Sequence, residues 1–230
     1  WGSWNSPGLD WGSIPGGLGS GWHHLKITFS GNQVKAYLDG VLTLQGTDNN
    51  AGGRPPYASG HVGVDFWTNG TTGNIYGPVY NNLIVRDSAD QIVFSDDFGP
   101  DPVDPLLPWV ETRGNWMVTD ETIQAASQSG YAYVYTATTP LWTDYTVEAQ
   151  VQFPSGAYGG GIGGRVDPAT GAHYAAWIYP DSSAGGPNVL KLIKFRDWTN
   201  WNGQAMGGNI SLPSVGTGWH TLRMEFIGNR

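Results

Sequence analysis

The chain has 230 residues and a formal net charge of −8. That balance speaks against contact with nucleic acid through phosphate neutralisation and against docking on anionic membranes. With 35 Gly, 12 Trp and only 13% charged residues it reads as β-rich and globular rather than disordered. The absence of Cys excludes a disulfide framework and thiolate metal sites, and no apolar run approaches the roughly 18 residues that span a bilayer.

Taken in order, almost nothing has helical periodicity. Short alternating runs are separated by Gly, Pro, Asn and Asp clusters, the pattern of a sandwich or barrel. Leu25–Phe29, Val34–Leu38 and Val41–Leu44 form a meander. Its turns, Gly31-Asn32 and Asp39-Gly40, supply the positive φ that two-residue hairpins need. His61–Trp67 and Asn82–Arg86 are further strands, and Asp87–Gln91 is a tight turn into Ile92–Ser95. The Pro-rich stretch Gly99–Pro108 cannot be a central strand. Strands are then predicted at Trp116–Val118, Ile123–Ala126, Tyr131–Tyr135, Tyr145–Phe153, Gly161–Val166, Tyr174–Tyr179 and Leu190–Phe195. Tyr145–Phe153 alternates over its whole length, as a half-buried antiparallel strand does.

The end of the chain repeats its beginning. Residues 19–33, GSGWHHLKITFSGNQ, return at 216–230 as GTGWHTLRMEFIGNR, so Trp22 matches Trp219 at an offset of 197. Without a gap, the same offset sets Trp1 on Trp198, Trp4 on Trp201 and Asn5 on Asn202, a match of 33 positions about one third identical. A repeat resets the domain count: the chain holds one period of 197 residues and a second copy of its first 33. The sequence opens on Trp1, with neither an initiator Met nor a signal-peptide pattern in its first residues. The expectation is a piece, or a processed form, of a longer protein.

An ordered string of motifs carries a resemblance. It comprises Phe94-Ser95-Asp96-Asp97-Phe98, Trp109 through Gly114-Asn115-Trp116-Met117-Val118, Trp142-Thr143-Asp144-Tyr145-Thr146-Val147-Glu148-Ala149, Gly159–Arg165 and Gly218-Trp219-His220-Thr221-Leu222-Arg223. At the front, Gly21-Trp22-His23-His24-Leu25-Lys26 repeats the last of these and runs on through Val34–Gly40, Gly60–Val64 and Tyr80–Val85. The string resembles the concanavalin A-like lectin/glucanase superfamily, and within it the laminin G-like bacterial repeats. The resemblance implies an all-β, antiparallel jelly-roll β-sandwich, split or permuted across a tandem repeat of about 197 residues. Residues 1–90 resemble the C-terminal half of one unit and 91–230 the N-terminal part of the next. The other arrangement is one permuted sandwich with a spare 33-residue segment. Either leaves strand edges that a neighbouring copy would cover, by strand addition, and head-to-tail contacts that do not close make filaments.

The residues give little sign of catalysis. The superfamily includes glycosidases that work with paired carboxylates, but the four Glu residues, Glu111, Glu121, Glu148 and Glu225, form no cluster in sequence. The five His residues match no metalloprotease or serine-hydrolase motif. No catalytic residue is assigned.

In related domains a structural Ca²⁺ joins the first strand to the last. The resemblance therefore implies oxygen ligands at Asp96, Asp97, Asn81 and Asn82, against the alternative that the two Asp are solvated turn residues. For sugar binding the candidates are Trp198 and Trp201, in Gly/Asn-rich loop sequence, with Tyr174 and Trp177 on one strand. Aromatic core or subunit interface is the alternative for these four.

The sequence thus points to a non-catalytic extracellular structural or adhesive repeat protein whose partners are copies of itself. A glycan-binding lectin-like module is the other reading.

Overall fold

The computed structural model describes residues 25–30, 33–38, 41–50, 53–68, 75–100, 104, 106–127, 130–137, 141–181, 183, 187–198, 204–206 and 209–227. The described residues form strands and turns without helix. The strands are β1 (Leu25–Ser30), β2 (Gln33–Leu38), β3 (Val41–Thr47), β4 (His61–Thr68), β5 (Ile75–Asp87), β6 (Ile92–Asp96), β7 (Trp109–Arg113), β8 (Asn115–Thr119), β9 (Thr122–Ser127), β10 (Gly130–Thr136), β11 (Tyr145–Gln152), β12 (Gly160–Val166), β13 (His173–Tyr179), β14 (Val189–Phe195), β15 (Gln204–Ala205), β16 (Ile210–Ser211) and β17 (Trp219–Ile227).

They make a β-sandwich of two sheets. Sheet A runs β3-β2-β1-β17-β11-β5-β9-β8, with β6 also on β5. Sheet B runs β15-β14-β13-β12-β4-β10-β7, with β16 also on β14. Strands from before and after residue 90 interleave in both: β4 lies between β12 and β10, and β5 between β11 and β9. The core between the sheets takes the inward residues of each. They include Val62, Val64 and Phe66 of β4, Val147, Ala149 and Val151 of β11, and Leu222, Met224 and Phe226 of β17.

Strand β5 begins seven residues before the predicted Asn82. Gly77 and Pro78 break the pattern there, and its register against β9 slips between Tyr76 and Val79. A proline in a strand is tolerated at such a bulge. At Asn82 the backbone turns left-handed, φ 46°, beside a second bulge between Glu148 and Gln150 of β11. There β5 exchanges β9 for β6 as its neighbour. Strand β7 lies at the close of the Pro-rich stretch, where no strand is predicted.

The glycines of β12 set how closely sheet B packs. A Cβ on Gly161 would stand 1.8 Å from the Ala176 carbonyl oxygen, an overlap only backbone movement relieves. We therefore expect Gly161→Ala to lower the urea midpoint by an amount equal to about 1–3 kcal/mol. Gly218→Ala, where a Cβ meets nothing within 4 Å, should stay within about 0.5 kcal/mol of the parent. Equal losses at the two positions would refute this account of β12.

Candidate functional site

The repeated strand has two places in the structure, and they are adjacent. β17 pairs antiparallel with β11, Phe226 opposite Tyr145, Met224 opposite Val147 and Leu222 opposite Ala149. Its inward side chains are fully buried, and Phe226 stacks on Tyr145 with ring centroids 4.6 Å apart. On the other face Arg223 reaches Glu148 at 3.7 Å. Along the far edge of β17 lies β1, parallel, with Leu25 opposite Leu222, Lys26 opposite Arg223 and Phe29 opposite Phe226. Every pair is 197 residues apart, the offset of the sequence repeat. Side chains alternate along a strand with period two, so this register gives the two copies the same apolar positions, at Leu25, Ile27 and Phe29 and at Leu222, Met224 and Phe226. The far edge of β1 is bonded to β2, which pairs with β3.

At one end of the core a lysine ties distant segments together. In β14, Leu190, Leu192 and Lys194 share one side by alternation, which places a cation among apolar residues. The Lys194 ammonium donates to Asp48 Oδ2 at 2.7 Å and to the carbonyls of Arg54 and Pro55 at 2.8 and 2.9 Å. Both side chains are buried. Tyr174 Oη donates to the same Asp48 oxygen at 2.9 Å and accepts from the Tyr57 N–H at 2.8 Å. The ammonium also lies 4.5 Å from the Tyr57 ring centroid, a cation–π contact. Burial lowers the Lys194 pKa, while the Asp48 carboxylate works the other way. Burial also raises the Tyr57 hydroxyl to about 12.

Arg165 holds the neighbouring turn. Its guanidinium donates to the carbonyls of Tyr57 and Thr143 at 2.7 and 2.9 Å, and its backbone N–H donates to Tyr145 Oη at 2.5 Å.

On the outer face of sheet B, Asp65 of β4 and His173 of β13 meet across β12. His173 Nε2 lies 3.0 Å from Asp65 Oδ2 and Nδ1 lies 2.7 Å from the Gly171 carbonyl. The glycines of β12 leave the space for this, since a Cβ on Gly163 would come within 3.2 Å of the His173 ring. Asp65 Oδ1 is buried and has no hydrogen-bond partner among the described residues. Asp65 also lines a small cavity of about 10 Å³, together with Gly63, Val134, Gly163, His173 and Trp198. Burial raises the Asp65 pKa above the ordinary carboxylate value, partly offset by His173. A protonated Asp65 donating to Nε2, with Nδ1–H directed at Gly171, fits both contacts.

The residues expected to hold Ca²⁺ have other partners. Asp96 Oδ1 accepts from the Phe98 N–H and Oδ2 from Trp109 Nε1–H, each at 2.7 Å. Asp97 Oδ1 accepts from the Gly99 N–H, and Asn81 Oδ1 from the Asn82 N–H. Asn82 Nδ2 donates to Gln150. Among the described residues no three acidic or histidine side chains converge as a metal site. With these bonds the four residues pin a turn and a bulge.

Of the sugar candidates, Trp201 lies outside the described residues. Tyr174 faces the core and is 2% exposed, and Trp177 is fully buried against Phe195 and Tyr179. These two rings are taken up by packing. Trp198 is half-buried, stacked near Tyr135 and bonded through Nε1 to the Pro168 carbonyl. Glu111 accepts from the Trp116 N–H and Glu148 pairs with Arg223, while Glu225, opposite Thr146, is the diagonal neighbour of Glu148 across β11 and β17.

Sequence reasoning missed Asp48, Asp65, Arg165, His173 and Lys194. For Lys194 a signal exists, a lysine at the apolar phase of an alternating strand. Comparison with family models, with curated proteins and with solved structures finds no match.

Two outcomes follow from these clusters. Asp48→Ala leaves the Lys194 cation buried without its counter-charge, and should cost about 3–5 kcal/mol in urea unfolding. Asp48→Ala combined with Lys194→Met should cost less than Asp48→Ala alone. For Asp65 the sign follows from its raised pKa: the folded state holds a proton that the unfolded chain releases. Its stabilising contribution is then present at low pH and lost as pH climbs through the folded value. Asn does not ionise and can still donate to His173. The melting temperature of Asp65→Asn relative to the parent should therefore rise as pH climbs above the ordinary carboxylate value and level off above the folded one; a difference flat with pH would contradict this assignment.

Proposed function

We propose that this chain is a non-catalytic, extracellular structural and adhesive repeat protein built of laminin G-like jelly-roll units, which associates with copies of itself by strand sharing along sheet A. The observation that carries the reading is the parallel pairing of β1 with β17 at the offset of the sequence repeat. A seat lined by β11 on one side and β2 on the other has two strands of matching pattern available to it, so a strand can be given without leaving the core open. Parallel, in-register stacking of like segments is also how identical strands from separate chains add to one another. The interior ionisable groups support a structural role, because Lys194, Asp48, Arg165, Asp65 and His173 each bind one part of the chain to another. The acidic, low-charge composition suits an extracellular repeat protein.

Size-exclusion chromatography with light scattering, run over a range of concentrations, tests the proposal. Species larger than the 24.8 kDa chain should grow with concentration and appear as chains or fibres by negative-stain microscopy. A single monomeric species at every concentration would reject it.

A further inference from the structure

We infer that β17 is an exportable strand and β1 its stand-in: when β17 is given to a second copy of the chain, β1 moves into the place it leaves beside β11. This rests on the self-association proposed above and adds to it which strand moves and what closes the gap.

The geometry favours the exchange at each position. β1 is parallel to β17, so it has the same polarity toward β11. Moved sideways by one strand spacing, about 4.8 Å, it would set Phe29 opposite Tyr145, Ile27 opposite Val147, Lys26 opposite Glu148 and Leu25 opposite Ala149. β17 now presents Phe226, Met224, Arg223 and Leu222 to the same four residues. Leucine and phenylalanine are unchanged, isoleucine replaces methionine, and the cation opposite Glu148 is kept as lysine. Thr28 in place of Glu225 is the one change of charge within this span.

The resistance to the move lies at the end of β3, where Thr47 runs directly into Asp48, whose buried bonds to Lys194 and Tyr174 must stretch or break. β2 is bonded to β1 and β3 to β2, so the three travel together. β17 is joined to β16 through residues 212–218, where Gly216, at φ 65°, and Gly218 have open space at the Cβ position; export must also release the Val215 and Gly216 N–H groups from Asn188 and Asp181. In an assembly, β17 of one copy enters between β11 and β1 of the next, whose own β17 passes on. The copy that receives none closes its seat with β1, and the series ends without an unpaired edge at that place.

The full chain lacks cysteine, so two introduced thiols report on each other alone. β1 and β11 now lie two strand spacings apart, about 9–10 Å, beyond the ~7 Å between Cα atoms that a disulfide spans. Glu148→Cys with Lys26→Cys can therefore link within a chain only if β1 takes the seat. Glu148→Cys with Arg223→Cys reports β17 in place. Under mild oxidation, read by non-reducing gels and peptide mass spectrometry, we expect both double variants to link within the chain. We also expect a mixture of the Glu148→Cys and Arg223→Cys single variants to link between chains.

A Lys26–Glu148 pair that stays reduced while the Arg223–Glu148 pair links would overturn the stand-in. Failure of the single variants to link between chains would overturn export of β17. Self-association by other edges would still be seen in light scattering, so loss of this inference and loss of the proposed function are told apart.

Discussion

The arrangement of sheet B depends on a strand that is more than half glycine. β12 reads Gly-Gly-Ile-Gly-Gly-Arg-Val and lies between β13 and β4, buried along its full length. Because Gly160 has no Cβ, the backbone and Phe66 side chain of β4 come close to it. Because Gly164 has none, the Phe226 ring and the Tyr145 hydroxyl of the opposite sheet reach into the middle of sheet B. The conformational entropy lost in ordering glycine is a real cost, and here it is offset by aromatic contact across the sandwich. The outer face uses the same absence, for it lets Asp65 and His173 meet over the strand that separates them.

The polar interior then ties together what packing alone leaves loose. Residues 53–57 belong to no strand, yet the carbonyls of Arg54, Pro55 and Tyr57 accept from Lys194 and Arg165, which belong to β14 and β12. Both cations are largely withdrawn from water, and each is surrounded by oxygen acceptors instead. A buried charge with all its donors engaged is specific in geometry even where its net stabilisation is small. These contacts join residues more than 100 positions apart.

Much of the strand order was legible in the sequence. The meander of β1 to β3, the hairpin at Asp87–Gln91 and the alternation of β11 follow from period-two patterning and turn residues, which act locally. The first half of β5 was hidden by Gly77 and Pro78, which read as a break but sit at a bulge. β7 was hidden by the prolines before it. The site residues were less legible, because Asp65–His173 and Asp48–Lys194 are each over 100 residues apart and no spacing rule joins them. The aromatic residues are hard to place for a different reason: Tyr174 and Trp177 lie on opposite faces of a buried strand, and composition cannot separate a ring held in a core from one held out to a sugar. The repeat was visible at once, whereas its parallel pairing could not be read from a single dimension.

The position of β4 has a consequence for biosynthesis. Both of its neighbours, β10 and β12, lie later in the chain, as does β11, which supplies much of the facing core. At translation rates of about 5–20 residues per second, β4 leaves the ribosome several seconds before the first of these partners. Over that interval Val62, Val64 and Phe66, all finally buried, stand on an extended segment with both edges unpaired. Nascent chains crowded on a polysome would bring several such segments together. For this sequence the hazard of mispairing is therefore greatest during translation, before the glycine strand arrives to claim its place.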